Sequence, residues 1–192
     1  MNQTITPVIN GVDTSRLFET MRAVQADPTI ACFQFRARNR WMEGGHNCST
    51  IQDFYGAGQE DTNRTQPFML TADEPPVLLG QDCGPNPVEF VLHALAACLT
   101  TSMVYHAAAR GIQIDSVTST FTGDLDLRGF LGLDASIRKG YQGIRVRFDV
   151  ASNASPEMLA ELMAYSPVRD IVSNPVPVSI EVCTAPVKEM AQ

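Results

Sequence analysis

The sequence predicts an α+β fold. Three observations carry that expectation. A long, nearly uncharged helical stretch runs from Pro87 to Arg110. Segments of strict two-residue apolar alternation occur on both sides of it. The order is helix, strands, long helix, strands, helices, strand, which groups the elements rather than alternating them as a doubly wound α/β chain does.

The first dozen residues read as a loose tail. Asp13 to Ala26 forms a short amphipathic helix with Leu17, Met21 and Val24 on one face, and Asp27-Pro28 ends it. Ala31, Phe33, Phe35 and Ala37 alternate with Cys32, Gln34, Arg36 and Arg38, which predicts a strand with one buried face. Glu43-Gly44-Gly45-His46 is a hairpin turn, and Cys48 to Tyr55 is the returning strand. Gly56 to Gly84, with Pro67, Pro75 and Pro76, is a long polar loop holding one strand near Phe68 to Thr71.

The long helix has both ends marked. Asn86 is an N-cap, Pro87 suits the first helical position, and Glu89 completes a capping box. At the far end Arg110 can satisfy the last carbonyls and Gly111 can take the left-handed C′ conformation. At about 1.5 Å per residue the helix is roughly 36 Å long. It is apolar on nearly every side, so it is expected to be buried all round. One chain cannot supply that cover, so a second copy is expected.

After Gly111 the period changes. Val117, Ser119, Phe121, Gly123, Leu125 and Leu127 alternate with Thr118, Thr120, Thr122, Asp124 and Asp126, and Ile144, Val146, Phe148 and Val150 alternate with Arg145, Arg147 and Asp149. Both are half-buried strands. Between them Phe130, Leu131 and Leu133 form an apolar cluster in a loop-like segment. Ser155-Pro156 opens a helix to about Tyr165, and Ser166-Pro167 opens a shorter one to about Ser173. Val176, Val178, Ile180 and Val182 make the last strand.

The 192 residues suffice for one well-packed domain, and the net charge of −7 argues against nucleic acid and against anionic membranes as partners. The apolar run of the long helix is interrupted by Glu89, His93 and hydroxyl residues, so no membrane span is expected, and no secretory signal is recognised. The five cysteines, Cys32, Cys48, Cys83, Cys98 and Cys183, show no CxxC and no zinc-like spacing. With His46, His93 and His106 also scattered, neither a metal site nor a cofactor is expected. An odd, dispersed cysteine set fits a reducing, cytoplasmic compartment.

Gly84-Pro85-Asn86-Pro87-Val88-Glu89 followed by Ala96-Ala97-Cys98, with Ser166-Pro167-Val168-Arg169 after a later helix, is similar to the signature of the OsmC/Ohr family. The resemblance spans roughly Ala31 to Cys183. It implies residues 1–29 as an N-terminal tail and short helix, 30–184 as an OsmC-like domain, and 185–192 as a C-terminal tail. It also implies an intertwined α+β homodimer with two long central helices packed between antiparallel sheets. Many members reduce organic hydroperoxides and serve in oxidative-stress defence. In them a peroxidatic cysteine is oxidised to a sulfenic acid, a resolving cysteine traps it, and an arginine with a glutamate holds the thiolate ready.

Carried over by position, Cys98 matches the peroxidatic cysteine and Ser166 stands where the resolving cysteine would be. Val88 stands where the organising glutamate usually sits, and Glu89 already serves the capping box. The arginine's place after the Gly-Gly pair is nearest His46, with Arg36, Arg38 and Arg40 as alternatives on the preceding strand. A serine cannot form a disulfide. Resolution would then need Cys48, Cys83 or an external thiol reductant.

Each candidate also has a structural explanation. Cys98 can be a small core residue, Ser166 a plain N-cap, and His46 a solvated turn residue. His93 and His106 fit a core or an interface, and Arg36, Arg38 and Arg40 a solvated strand face. Two functions follow. One is a thiol-dependent peroxidase for small apolar hydroperoxides with Cys98 as nucleophile. The other is a non-catalytic dimeric module of the same fold that binds a small hydrophobic ligand.

Overall fold

The computed structural model describes residues 8–184. The expected C-terminal tail at 185–192, and residues 1–7 of the expected N-terminal tail, lie outside them. The chain is α+β, with short antiparallel sheets and several helices, as expected. What differs is concentrated in the first half and at the end.

The N-terminal tail is a hairpin over residues 8–13. β1 (Val8–Ile9) pairs with β2 (Val12–Asp13). Asn10 and Gly11 take φ of 53° and 78°, the left-handed pair that a tight hairpin turn requires. The Asn10 side chain also clasps a distant segment. Its Nδ2 donates to Ile112 O and its Oδ1 accepts from Ile114 N, each at 2.9 Å. The helix that follows, α1 (Thr14–Ala26), is capped by Asp13 and ends at Asp27, as its sequence signals require.

The strand expected from Ala31 to Arg38 does not form there. Asp27 caps Thr29, and Pro28–Ala31 turns into a 3-10 helix. Phe33 and Phe35 stack with each other and with Phe54 at centroid separations of 5.5–6.3 Å. Arg36 is drawn to Glu60 by a two-pronged ion pair, and only Gln34 bridges to Tyr55. The first long strand, β3 (Arg38–Glu43), begins later. The Gly44-Gly45 turn then returns the chain as β4 (His46–Ile51), as expected.

The single return strand expected from Cys48 to Tyr55 is divided. β5 (Phe54–Gly56) pairs instead with β6 (Gln59–Asp61), inside the segment expected to be loop. Gln52 exchanges side-chain to main-chain hydrogen bonds with Arg64 at 2.9 Å in both directions, which pulls the chain out of the first sheet. β7 (Phe68–Ala72) completes that sheet in the order β3-β4-β7. Beyond it, the buried Asp73 carboxylate accepts N–H bonds from Glu74, Gln81 and Cys83 and fixes the loop leading to the long helix.

The long helix, α2 (Pro87–Ala109), carries the expected capping box, with Arg110 at its C-cap and Gly111 at φ 71°. By length and composition it could cross a bilayer. Here it packs on α4, α5, α1 and β8, elements placed below. It is not buried all round within one chain. Leu95, Leu99, Met103 and Ala107, four residues apart, are buried, whereas His93, Ala94, Ala97, Thr101 and Tyr105 are exposed.

β8 (Ile114–Asp124) and β9 (Gly143–Ser152) form a long antiparallel hairpin. Its inner face sends Val117, Phe148 and Val150 onto a core of Met103, Ala107, Ile114, Leu159 and Leu162. The connecting segment contains the short helix α3 (Leu127–Phe130), and Phe130, Leu131 and Leu133 project into solvent. α4 (Pro156–Met163) and α5 (Pro167–Ser173) follow, separated at the Ser166-Pro167 step. The last strand, Val176 to Val182, is not formed in the described chain. Val176, Val178, Ile180 and Val182 are all exposed, and the segment has no ladder partner among the described residues.

Candidate functional site

Cys98 lies near the middle of α2 and is half-buried. One turn away are Ala94, Leu95, Thr101 and Ser102, and two turns back is Val91. Leu95 belongs to the buried face and Ala94 to the uncovered one, so the thiol stands on the border between them.

A cleft of about 770 Å³ opens between α2, β9 and α5. Val91, Leu95, Leu99, Ile144, Phe148 and Met163 supply apolar wall, and Arg138 and Arg169 are its charged lining residues. Cys98 does not line it. Two fixed points set its mouth. Tyr141 Oη donates to Val88 O at 2.9 Å, and the Tyr141 ring covers Gly123, where any Cβ would collide with it at 2.4 Å. The Arg138 main chain crosses Gly129 so closely that a Cβ there would meet Arg138 O at 2.6 Å. Burial, followed by the nearby Glu89 charge, pushes the Tyr141 phenol above its ordinary value, so it stays a donor.

Ser166 is buried at 1% exposure, and its Oγ accepts from Arg169 N at 3.2 Å. The structure thus gives it the N-cap role. Beside it Tyr165 stacks on His106 at 4.2 Å. Burial, then the Arg110 charge, lowers the His106 pKa and favours its neutral form. His93 is on the uncovered face of α2.

His46 is half-buried at the start of β4, opposite Glu43. Arg38 and Arg40 project from β3, and Arg36 is held by Glu60. The elements that pack most closely on α2, namely α4, α5, β8 and α1, carry none of these four residues. Cys48 lies in β4 opposite Arg40, and Cys83 in the loop before α2. Nothing in the sequence assigns a role to Arg138, Tyr141 or Arg169. Only Arg169 stood in a recognised motif, and only the fold brings the three to one cleft.

The family model described as OsmC-like protein matches residues 80–181. Among solved structures, an OsmC-like protein from Mycoplasma pneumoniae aligns with a TM-score of 0.53 at 17% identity, covering 74% of this chain and 89% of that one. An organic hydroperoxide resistance protein OsmC from Legionella pneumophila aligns with a TM-score of 0.51 at 17% identity, covering 75% and 92%. These likenesses establish a shared fold. No curated protein matches the sequence.

Proposed function

The chain belongs to the OsmC-like family, and from that membership we propose that it is a homodimeric, thiol-dependent protein that reduces small apolar organic hydroperoxides through Cys98. The observation that carries this reading is the position of Cys98. It is half-buried on α2, one turn from Leu95 and two from Val91, and both of those residues line an apolar cleft.

The reaction needs only one protein thiol. The Cys98 thiolate attacks the distal peroxide oxygen, the O–O bond breaks, and the organic part leaves as an alcohol after taking up a proton. Cys98 becomes a sulfenic acid. An external thiol condenses with it, releasing water and leaving a mixed disulfide. A second external thiol then restores Cys98 and leaves as a small disulfide. Ser166 takes no part beyond its N-cap. The activating cation, His46, Arg38 or Arg40 of the β3–β4 hairpin or Arg36 just before it, comes from the second copy. The uncovered α2 face and the unpaired Val176–Val182 segment are what such a copy would cover.

The test is hydroperoxide consumption with a small thiol as reductant, for the wild type, Cys98→Ser, and Cys48→Ser with Cys83→Ser. Loss of turnover in Cys98→Ser alone supports the reading. Turnover that survives Cys98→Ser ends it.

A second reading is favoured by the cleft itself, whose lining is complete without Cys98. It makes the protein a non-catalytic dimeric module that holds a small hydrophobic ligand.

A further inference from the structure

The chain carries an excess of acidic groups, with a net charge of −7. Its cleft between α2, β9 and α5 has the opposite character. The charged residues lining it are Arg138 and Arg169, and no carboxylate lines it. Five arginines elsewhere are neutralised within the chain: Arg36 by Glu60, Arg110 by Glu161, Arg128 by Asp126, Arg145 by Asp124 and Arg147 by Asp149. Arg138 and Arg169, like Arg16, Arg22, Arg38, Arg40 and Arg64, are in no ion pair among the described residues, and of these seven they are the two that line the cleft. Both are exposed, so they stand at the rim of the cleft.

The apolar wall continues from this rim inward to the buried Leu95 and Leu99. The rim is held in place by the Gly129–Arg138 crossing and the Tyr141–Val88 hydrogen bond. An apolar slot of about 770 Å³ with guanidinium groups at its edge matches one ligand chemistry. A hydrocarbon chain fills the slot, and a terminal anion is met by planar, permanently charged donors suited to a carboxylate.

We propose that this cleft binds an apolar monocarboxylate, a straight-chain acyl anion, with its chain against Val91, Leu95 and Phe148 and its carboxylate between Arg138 and Arg169. The proposal rests on the binding-module reading and names the ligand class of that site. It requires no thiol chemistry. Arg138 discriminates by charge from a loop, and Arg169 does so from the first turn of α5.

Calorimetric titration of the full-length Cys98→Ser protein with decanoate and with decan-1-ol, both below their aggregation limits, separates the two levels of the idea. Decanoate is expected to bind about ten-fold more tightly than the alcohol, from two rim charges. The preference should shrink as salt is raised. Arg138→Gln with Arg169→Gln should bring decanoate down to the alcohol's affinity and leave the alcohol unchanged, which also shows that the variant is folded. Val91→Asp should weaken both. Equal binding of the two ligands to the parent protein overturns the carboxylate proposal and leaves the binding-module reading standing. So does a preference that survives the double arginine variant. No saturable binding of either ligand overturns both, as it would if a second copy fills the cleft.

Discussion

Tyr141 donates its phenolic proton to the main-chain oxygen of Val88 at 2.9 Å. The bond ties the loop before β9 to the first turn of α2. Tyr141→Phe keeps the ring on Gly123 and removes only this bond. The expected loss is about 0.5–1.5 kcal/mol in chemical denaturation, with an unchanged m-value. It should also weaken ligand binding in the cleft, because the mouth is no longer pinned.

The core beneath α2 depends on Met103 and Leu162, both at 0% exposure. Leu162→Ala leaves a cavity against Met103 and Ile114 and should cost about 2–5 kcal/mol. Urea unfolding measures it. A loss below about 1 kcal/mol would mean that α4 is free to collapse onto α2, contrary to the packing described.

Much of this architecture was legible in local sequence signals. The capping box at Asn86 and Glu89, the Gly111 stop, the Gly44-Gly45 turn and the β8 and β9 alternation are decided within a few residues and form as expected, except that β8 ends at Asp124 and Leu127 opens α3 instead of extending the strand. The Asn10-Gly11 turn is equally local, flanked by Val8, Ile9 and Val12, although the short, polar segment around it reads as tail. Phe33 and Phe35 misled because their alternation serves ring stacking on Phe54, a contact beyond the reach of a strand pattern. The cleft was not legible at all. Arg138 is a loop residue and Arg169 the third residue of a helix, and nothing local distinguishes either. They come to line one cleft only when α2, β9 and α5 pack together.

The exposed stripe His93, Ala97, Thr101 and Tyr105 and the exposed apolar row Val176, Val178, Ile180 and Val182 leave two surfaces uncovered. Sedimentation or light scattering at micromolar concentration should therefore give a dimer, with an interface of the obligate class above about 2,000 Å² in total. Ala97→Glu should shift the protein toward monomer, since it places a charge in the middle of the stripe. A wild type that runs as a monomer would remove the second copy from the proposed site.

The stacked His106 has a pKa held below its ordinary value by burial and then by Arg110. The unfolded chain therefore binds the proton more readily than the folded one. The stability this provides is present above the unfolded value of about 6.5 and falls away as the pH drops through it, levelling off below the lowered folded value. Thermal melts should show a larger decline between about pH 7.5 and 5.5 for the wild type than for His106→Gln. Equal declines would assign the acid sensitivity to other groups.

Under the proposed peroxidase reading, Ser166 stands where a second cysteine would resolve the intermediate. Its side chain is buried and already used, accepting from Arg169 N at 3.2 Å. After one equivalent of an organic hydroperoxide, intact-mass analysis of the wild type should show a single added oxygen, or a thiol adduct when a small thiol is present. Ser166→Cys changes the chemistry available. The cap weakens, with a loss of about 0.5–2 kcal/mol if the thiol caps no better than alanine. In return, the new thiol can attack the Cys98 sulfenic acid, expelling water. The variant should then lose two hydrogens instead of gaining an oxygen, in a bond that reductant reverses. Cys98→Ser in the same background should abolish that loss. Persistence of the oxygen adduct in Ser166→Cys would mean that α2 and the α4–α5 junction do not bring residues 98 and 166 within bonding distance. A loss of two hydrogens already in the wild type would instead identify Cys48 or Cys83 as a resolving thiol, and Cys48→Ser and Cys83→Ser would tell which.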